Sequence, residues 1–279
     1  MRIDQYFEKD MSLQPYRVRQ WHQQTRGKHT VCISPHWHIQ LEFLRIISGK
    51  LQMTVGEENF QAEAGALIII NPKQIHSGIC LSEELAYDVV QIDIAALIND
   101  FSASQRFLEP LINEKVRFIV NPADTTAPQI VTELIDYLHS DQHPLVIVAK
   151  IYQTIGELYH LYAVEQGIFN ATNDKLRQAL EYIDNHYCEP LSVRLICQQF
   201  NYNESYFCRI FKKATGLTLS AYIRILRMEK AQRLLQKPGI SISQVAAECG
   251  YSDPDYFRVC MRKHFKQAPS ELRDKLSRR

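Results

Sequence analysis

At 279 residues with 46% hydrophobic content, the chain is long for one core and fits two domains of ordinary size. Its longest apolar run, Ala64 to Ile70, is far short of the roughly 18 residues a membrane helix needs, and the N-terminal Met-Arg-Ile-Asp-Gln lacks the apolar stretch of a secretory signal, which points to the cytoplasm. The net charge of +1 hides an asymmetry: residues 172–279 carry 19 Lys+Arg against 11 Asp+Glu, residues 1–171 carry 13 against 20, so only the C-terminal part suits a polyanion.

Residues 1 to about 30 are polar, with Tyr16 to Trp21 able to form an edge strand. From Cys32 to Asp93 short strand-like runs alternate with turns: Trp37–Ile47, Leu51–Val55, Phe60–Ala64, Leu67–Ile70 and Tyr87–Ile94. Gly49, Gly56, Gly65 and Asn71-Pro72 punctuate them, which predicts a small β-barrel or sandwich. His36, His38 and Glu42 share parity along the first of these runs and leave it on one face, while His76 follows later. The spacing from His36 through His38 and Glu42 to Gly49 resembles the first motif of cupins, whose barrels can hold a divalent metal on three imidazoles and one carboxylate. His76 stands one residue closer to Pro72 than the second cupin motif would place it. Two readings stay open here. The four residues are a metal set suited to Mn, Fe, Ni or Zn, or they are the polar side of a strand whose Trp37, Ile39, Leu41 and Phe43 form the core. Without a metal, His36, Trp37, His38, Glu42 and His76, with Phe43, can line a pocket for one small molecule.

From Ala95 to about Gly167 the periodicity becomes helical, with one amphipathic helix over Ile130–His139 and a stripe of Leu145, Val148, Tyr152, Ile155, Tyr159 and Tyr162 on another. Such a stripe serves either its own domain or a dimer seam. Residues 167–174, rich in Asn and Thr, read as a linker between a domain over 1–166 and another over 175–279.

The second domain says nearly the same thing twice. Tyr202, Tyr206-Phe207 and Lys212-Lys213 recur about fifty residues later as Tyr251, Tyr256-Phe257 and Arg262-Lys263. Each copy reads as helix, tight turn, helix. In the first, Ser192 caps a helix burying Val193, Ile196, Cys197 and Phe200; Asn203 caps the next, which buries Phe207, Ile210, Phe211 and Ala214 and stops at Gly216. In the second, Ser243 is the expected cap, Gly250 the turn, and Ser252 with Pro254 opens a helix burying Phe257, Cys260, Met261 and His264. A connector over Leu219–Gln236, stopped by Lys237-Pro238-Gly239, joins the copies. The seven cysteines, at 32, 80, 188, 197, 208, 249 and 260, form no Cys-x-x-Cys pair and are expected reduced, Cys208 alone of those in the repeat facing outward.

The double repeat from Leu191 to Leu272, with Phe-Lys-Lys-Ala-Thr-Gly at 211–216, Arg-Met-Glu-Lys-Ala at 227–231 and Gly-Tyr-Ser-Asp-Pro at 250–254, closely resembles the DNA-binding domain of AraC/XylS-type transcription regulators. The resemblance implies an α+β multidomain protein, with a cupin-like sensor barrel plus helices followed by an all-α domain with two helix-turn-helix units. It implies a non-enzymatic, sequence-specific regulator, in habit an activator, controlled by a small effector such as a sugar, pairing as a homodimer and contacting RNA polymerase. Helix entry into successive major grooves would put Ser205, Cys208, Arg209, Asp255, Tyr256 and Val259 on bases, and Lys212, Lys213, Arg258, Arg262 and Lys263 on phosphates. Arg209 is the foremost base reader, because a guanidinium donates twice to guanine O6 and N7. Family members often carry Arg where Val259 stands, so the second helix is expected to read fewer bases. The second reading is a metal-dependent cupin enzyme with an accessory DNA-binding domain.

Overall fold

The computed structural model describes residues 18–100, 104–120, 129–140, 143–165, 171–236 and 239–277. The chain divides into two compact units, Met1–Asn170 and Ala171–Arg279.

The first unit opens with eight strands: β1 (Val18–Arg26), β2 (Val31–His36), β3 (Leu41–Ser48), β4 (Lys50–Val55), β5 (Glu58–Glu63), β6 (Leu67–Ile70), β7 (His76–Cys80) and β8 (Glu84–Ile92). They form two antiparallel four-stranded sheets, ordered β1-β8-β3-β6 and β2-β7-β4-β5. Alternation along β3 explains how the unit is layered. Leu41 and Phe43, with Ile69 of β6 and Val90 of β8, project to one side. Leu44 and Ile46, with Ile70 and Val89, project to the other and meet Ile33, Leu51, Met53 and Val55 of the second sheet. The barrel interior lies on that second side.

The first side is covered by helices α1 (Ile94–Asp100), α2 (Gln105–Ile112), α3 (Gln129–Leu138) and α4 (Pro144–Tyr162), with a ribbon of β9 (Val116–Phe118) and β10 (Ala163–Glu165) beside them. Leu97, Leu108, Leu134, Ile151 and Leu158 of these helices complete the core that Phe43 enters. Phe43 therefore packs away from the barrel interior and does not line it with the histidines, contrary to expectation. The stripe on α4 also serves its own domain: Ile155 is buried in that core, Tyr152, Tyr159 and Tyr162 pack against it, and the Tyr152 hydroxyl donates to the Leu97 carbonyl at 2.9 Å. Leu145, 73% exposed, stands clear of it.

The second unit is helical: α5 (Ala171–His186), α6 (Val193–Phe200), α7 (Glu204–Thr215), α8 (Leu219–Leu235), α9 (Ile242–Glu248), α10 (Pro254–Phe265) and α11 (Pro269–Ser277). Residues 171–174, expected in a linker, belong to α5. Helix α8 is buried on nearly all sides, from Leu219 and Tyr222 through Met228 to Leu235, and packs against α7, α9, α10 and α11. Its Tyr222 hydroxyl donates to Asp184 Oδ1 at 2.7 Å and its Arg227 guanidinium to the carbonyls of Tyr187 and Glu189, which ties the connector to the end of α5. The stop expected at residues 237 and 238 lies outside the described residues. No helix among the described residues is long and apolar enough to cross a membrane.

Candidate nucleic-acid interface and buried imidazole cluster

Helices α7 and α10 each follow a short helix across a tight turn, and both turns need left-handed backbone. In the first, Asn201 adopts it at φ 51°, and Ser192 and Asn203 cap α6 and α7 as expected, accepting from the amides of Leu195 and Tyr206. In the second, Gly250 adopts it at φ +78°, where a Cβ would lie 2.1 Å from the Cys188 carbonyl oxygen. The caps of the second unit differ from those expected. Ser241, not Ser243, caps α9: its hydroxyl accepts from the Gln244 amide, and its own amide donates to Gln244 Oε1. Asp253, not Ser252, caps α10, since Pro254 fills the first helical position.

The inner faces match across the repeat. Tyr202 packs on Phe207 with ring centroids 5.5 Å apart, and Tyr251 on Phe257 at 5.3 Å. Phe207, Phe211, Phe257, Cys260 and Met261 are buried, whereas His264 is only half-buried. Every residue expected to face DNA is exposed: Ser205, Cys208, Arg209, Lys212 and Lys213 on α7, and Asp255, Tyr256, Arg258, Val259, Arg262 and Lys263 on α10. The Arg209 guanidinium lies over the Tyr206 ring, 5.4 Å from its centroid, which steadies a long side chain at the helix surface. On α10 the chemistry departs from this. Arg258 forms an ion pair with Asp255 one turn back, and Val259 is 60% exposed.

Inside the barrel a second arrangement stands out. His36 ends β2 and His38 lies in the link to β3, so the expected single strand over 37–47 is broken where the chain crosses between sheets. The three rings still meet. The register sets His36 opposite His76 of β7 and Glu42 opposite Gln91 of β8. Ring centroids are 4.2 Å apart for His36 and His76, 5.0 Å for His38 and His76, and 5.5 Å for His36 and His38. His38 Nε2 lies 3.1 Å from Glu42 Oε2, and Gln91 Nε2 donates to that same oxygen at 2.7 Å. His38, Glu42 and His76 are buried; His36 and Trp37 are half-buried. Burial lowers His36 to about 4 and takes His76 well below the usual imidazole range. Burial alone would raise the Glu42 carboxyl, but the His38 contact and the surrounding imidazoles outweigh it and bring it to about 2. The cluster at neutral pH thus holds an ionised carboxylate beside neutral His36 and His76.

Two family profiles match the chain: one described as an AraC-like ligand binding domain over residues 21–155, the other as a helix-turn-helix domain over residues 196–275. The chain belongs to the AraC family. This AraC-family protein is 24% identical over 240 residues to the Msm operon regulatory protein of Streptococcus mutans, spanning 83% of each chain. It is 31% identical over 105 residues to the HTH-type transcriptional activator RhaS of Salmonella paratyphi B, a match over 37% of this chain and only 38% of that protein. The structure of ToxT from Vibrio cholerae aligns over 92% of this chain and 97% of that one, at 13% identity and a TM-score of 0.48. The AraC-family chain is accordingly a DNA-binding transcription regulator with a separate ligand-binding domain. Sequence reasoning did not anticipate Gln91 as the clamp on Glu42; a polar residue amid Val89, Val90 and Ile92 is the signal that would have found it.

Proposed function

We propose that this chain is a cytoplasmic, non-enzymatic activator that binds two successive major grooves through α7 and α10, under the control of a small effector held in the N-terminal domain. The observation that carries the reading is the pair of helices whose inner aromatics are buried while their outer faces expose Arg209, Lys212, Lys213, Arg262 and Lys263. Ser205, Cys208, Arg209, Asp255, Tyr256 and Val259 meet base edges; Lys212, Lys213, Arg258, Arg262 and Lys263 hold phosphates. The likeness of this domain to a named transcriptional activator, RhaS, supports activation, for which contact with RNA polymerase is the proposed route.

The effector site is assigned to the converging His36, His38, Glu42 and His76, with Trp37 between two of them along the chain, since buried directional polar groups against an apolar wall are what small-molecule recognition needs. Homodimerisation is assigned to α4, whose Leu145, Val146 and Leu161 remain exposed while most of its stripe serves its own core. Footprinting the full chain on the DNA upstream of its own gene tests the proposal. Two protected major-groove faces about one helical turn apart, with affinity falling steeply as salt rises, are expected. A single protected face, or salt-independent binding, would refute it.

A further inference from the structure

The segment before α6 and the end of α9 meet on α8, and part of that contact is made through a thiol. Arg227 and Lys230 stand one turn apart on α8. The Arg227 guanidinium donates to the carbonyls of Tyr187 and Glu189, while the Lys230 ammonium donates to the Glu248 carbonyl at 2.6 Å and to Cys188 Sγ at 3.2 Å. Cys188 is closed in on another side by Gly250, where a Cβ would lie 2.1 Å from the Cys188 carbonyl oxygen. Contacts on three consecutive residues thus pin the backbone of Cys188 and keep its sulfur beside the amine. Cys188 is half-buried, so a small oxidant reaches it, whereas Cys32, Cys80, Cys197, Cys249 and Cys260 are buried.

We propose that Cys188 and Lys230 form a covalent sulfur–nitrogen link when a hydroperoxide oxidises the thiol. In the first step the Cys188 sulfur attacks a peroxide oxygen, the O–O bond breaks, and hydrogen peroxide leaves one water and a sulfenic acid. In the second, Lys230 Nζ gives up a proton and attacks that sulfur; the S–O bond breaks, the departing hydroxide takes a second proton from nitrogen as water, and a sulfenamide remains. One thiol, one ammonium and one hydrogen peroxide become one sulfenamide, two waters and one proton, with the sulfur oxidised and the peroxide reduced. Condensation of a sulfenic acid with a nearby nitrogen is established chemistry. The 3.2 Å between Nζ and Sγ falls inside the ~3–3.5 Å at which reacting atoms are poised for attack. Cys249 is the competing trap. Burial, and then the neighbouring Cys188, push its thiol up to about 12, so it offers little of the thiolate that would attack. The link joins α8 to the segment before α6 across 42 positions of sequence, and it removes the positive charge that Lys230 holds at the C-terminal end of α9.

The test treats the reduced full-length protein with hydrogen peroxide at neutral pH and maps it by tandem mass spectrometry after trypsin. A peptide pair joined through Cys188 and Lys230 is expected, two hydrogens lighter than its free peptides, with cleavage after Lys230 lost and both changes reversed by dithiothreitol. A cross-link over that span constrains the unfolded chain, so the unfolding midpoint should rise on oxidation, a gain that oxygen added to sulfur alone does not give. Lys230→Arg keeps a cation opposite Glu248 and removes the nucleophile; it should abolish the linked peptide and the rise while Cys188 still oxidises. Cys188→Ser should abolish both as well. Melting curves of the reduced variants report folding, so either one suffices if the other fails to fold. Cys188 left unmodified, halted at sulfinic acid or joined to Cys249 in the wild type, or a midpoint rise that persists in Lys230→Arg, would overturn the link. No readout involves DNA or effector, so failure here leaves the regulator reading intact.

Discussion

The two helix-turn-helix units share a fold and differ in what they present. Both bury a tyrosine against a phenylalanine at nearly the same separation, and both expose one helix. The first offers a steadied guanidinium, a serine and two exposed lysines; the second offers a valine, a tyrosine and an arginine already engaged by its neighbour Asp255. The inner face is fixed by packing, whereas the outer face is free to specialise. We therefore propose unit one as the discriminating reader, with unit two reading by apolar contact and anchoring.

The sharpest break in the symmetry lies at the turns. Gly250→Ala should destabilise the second unit by about 3 kcal/mol or more, because it forces a Cβ into the Cys188 carbonyl at a backbone angle that alanine avoids. Asn201→Ala, at the equivalent turn, should cost about 1–2 kcal/mol. Urea unfolding of the full chain followed by circular dichroism compares them, and equal losses would contradict the distinction.

Next in size is base reading. Arg209→Ala should weaken specific binding by about 1–3 kcal/mol and relax the sequence preference at one position, while Val259→Ala should cost about 1 kcal/mol or less, both read by competition gel shifts. Replacing Lys212 and Lys213 together by alanine should leave the preferred sequence unchanged and reduce the slope of log affinity against log salt by about two. Asp255→Ala should act in the opposite direction, releasing Arg258 to phosphate and strengthening non-specific binding by a factor of about two. The smallest effect is on pH dependence. Burial beside Arg224 and Lys266 lowers His264 to about 4, so the neutral ring is the folded form. Its contribution is complete above about pH 6.5 and lost as pH falls from there toward 4, a decline in the thermal midpoint that His264→Gln should remove.

How much of this could be read beforehand follows the same division. The repeat was legible because its aromatic and basic residues recur at a fixed offset, which holds both helices and both outer faces to one pattern. The second-unit caps were misread although the signal was present: Gln244 stands three residues after Ser241, and Pro254 directly follows Asp253. In the barrel, β2 and β7 were hidden because Ser34, Pro35, Ser77 and Gly78 do not resemble strand sequence; pairing across the sheet holds them there. The convergence of His36, His38 and Glu42 was foreseen on one continuous strand and is achieved instead across a break. The orientation of Phe43 could not be foreseen, because alternation says that neighbouring residues take opposite sides without saying which side is the barrel.

That alternation gives β3 a mechanical role. Glu42 lies against His38 at the polar end of the barrel, and Phe43, one peptide bond away, is packed into the core formed with α1–α4. A displacement of the carboxylate by a few tenths of an ångström has no loop in which to dissipate before it reaches the helical layer. Hydrogen exchange slowing in α3 and α4 on occupancy of the barrel would register such a lever, and unchanged exchange there would show that the strand transmits nothing.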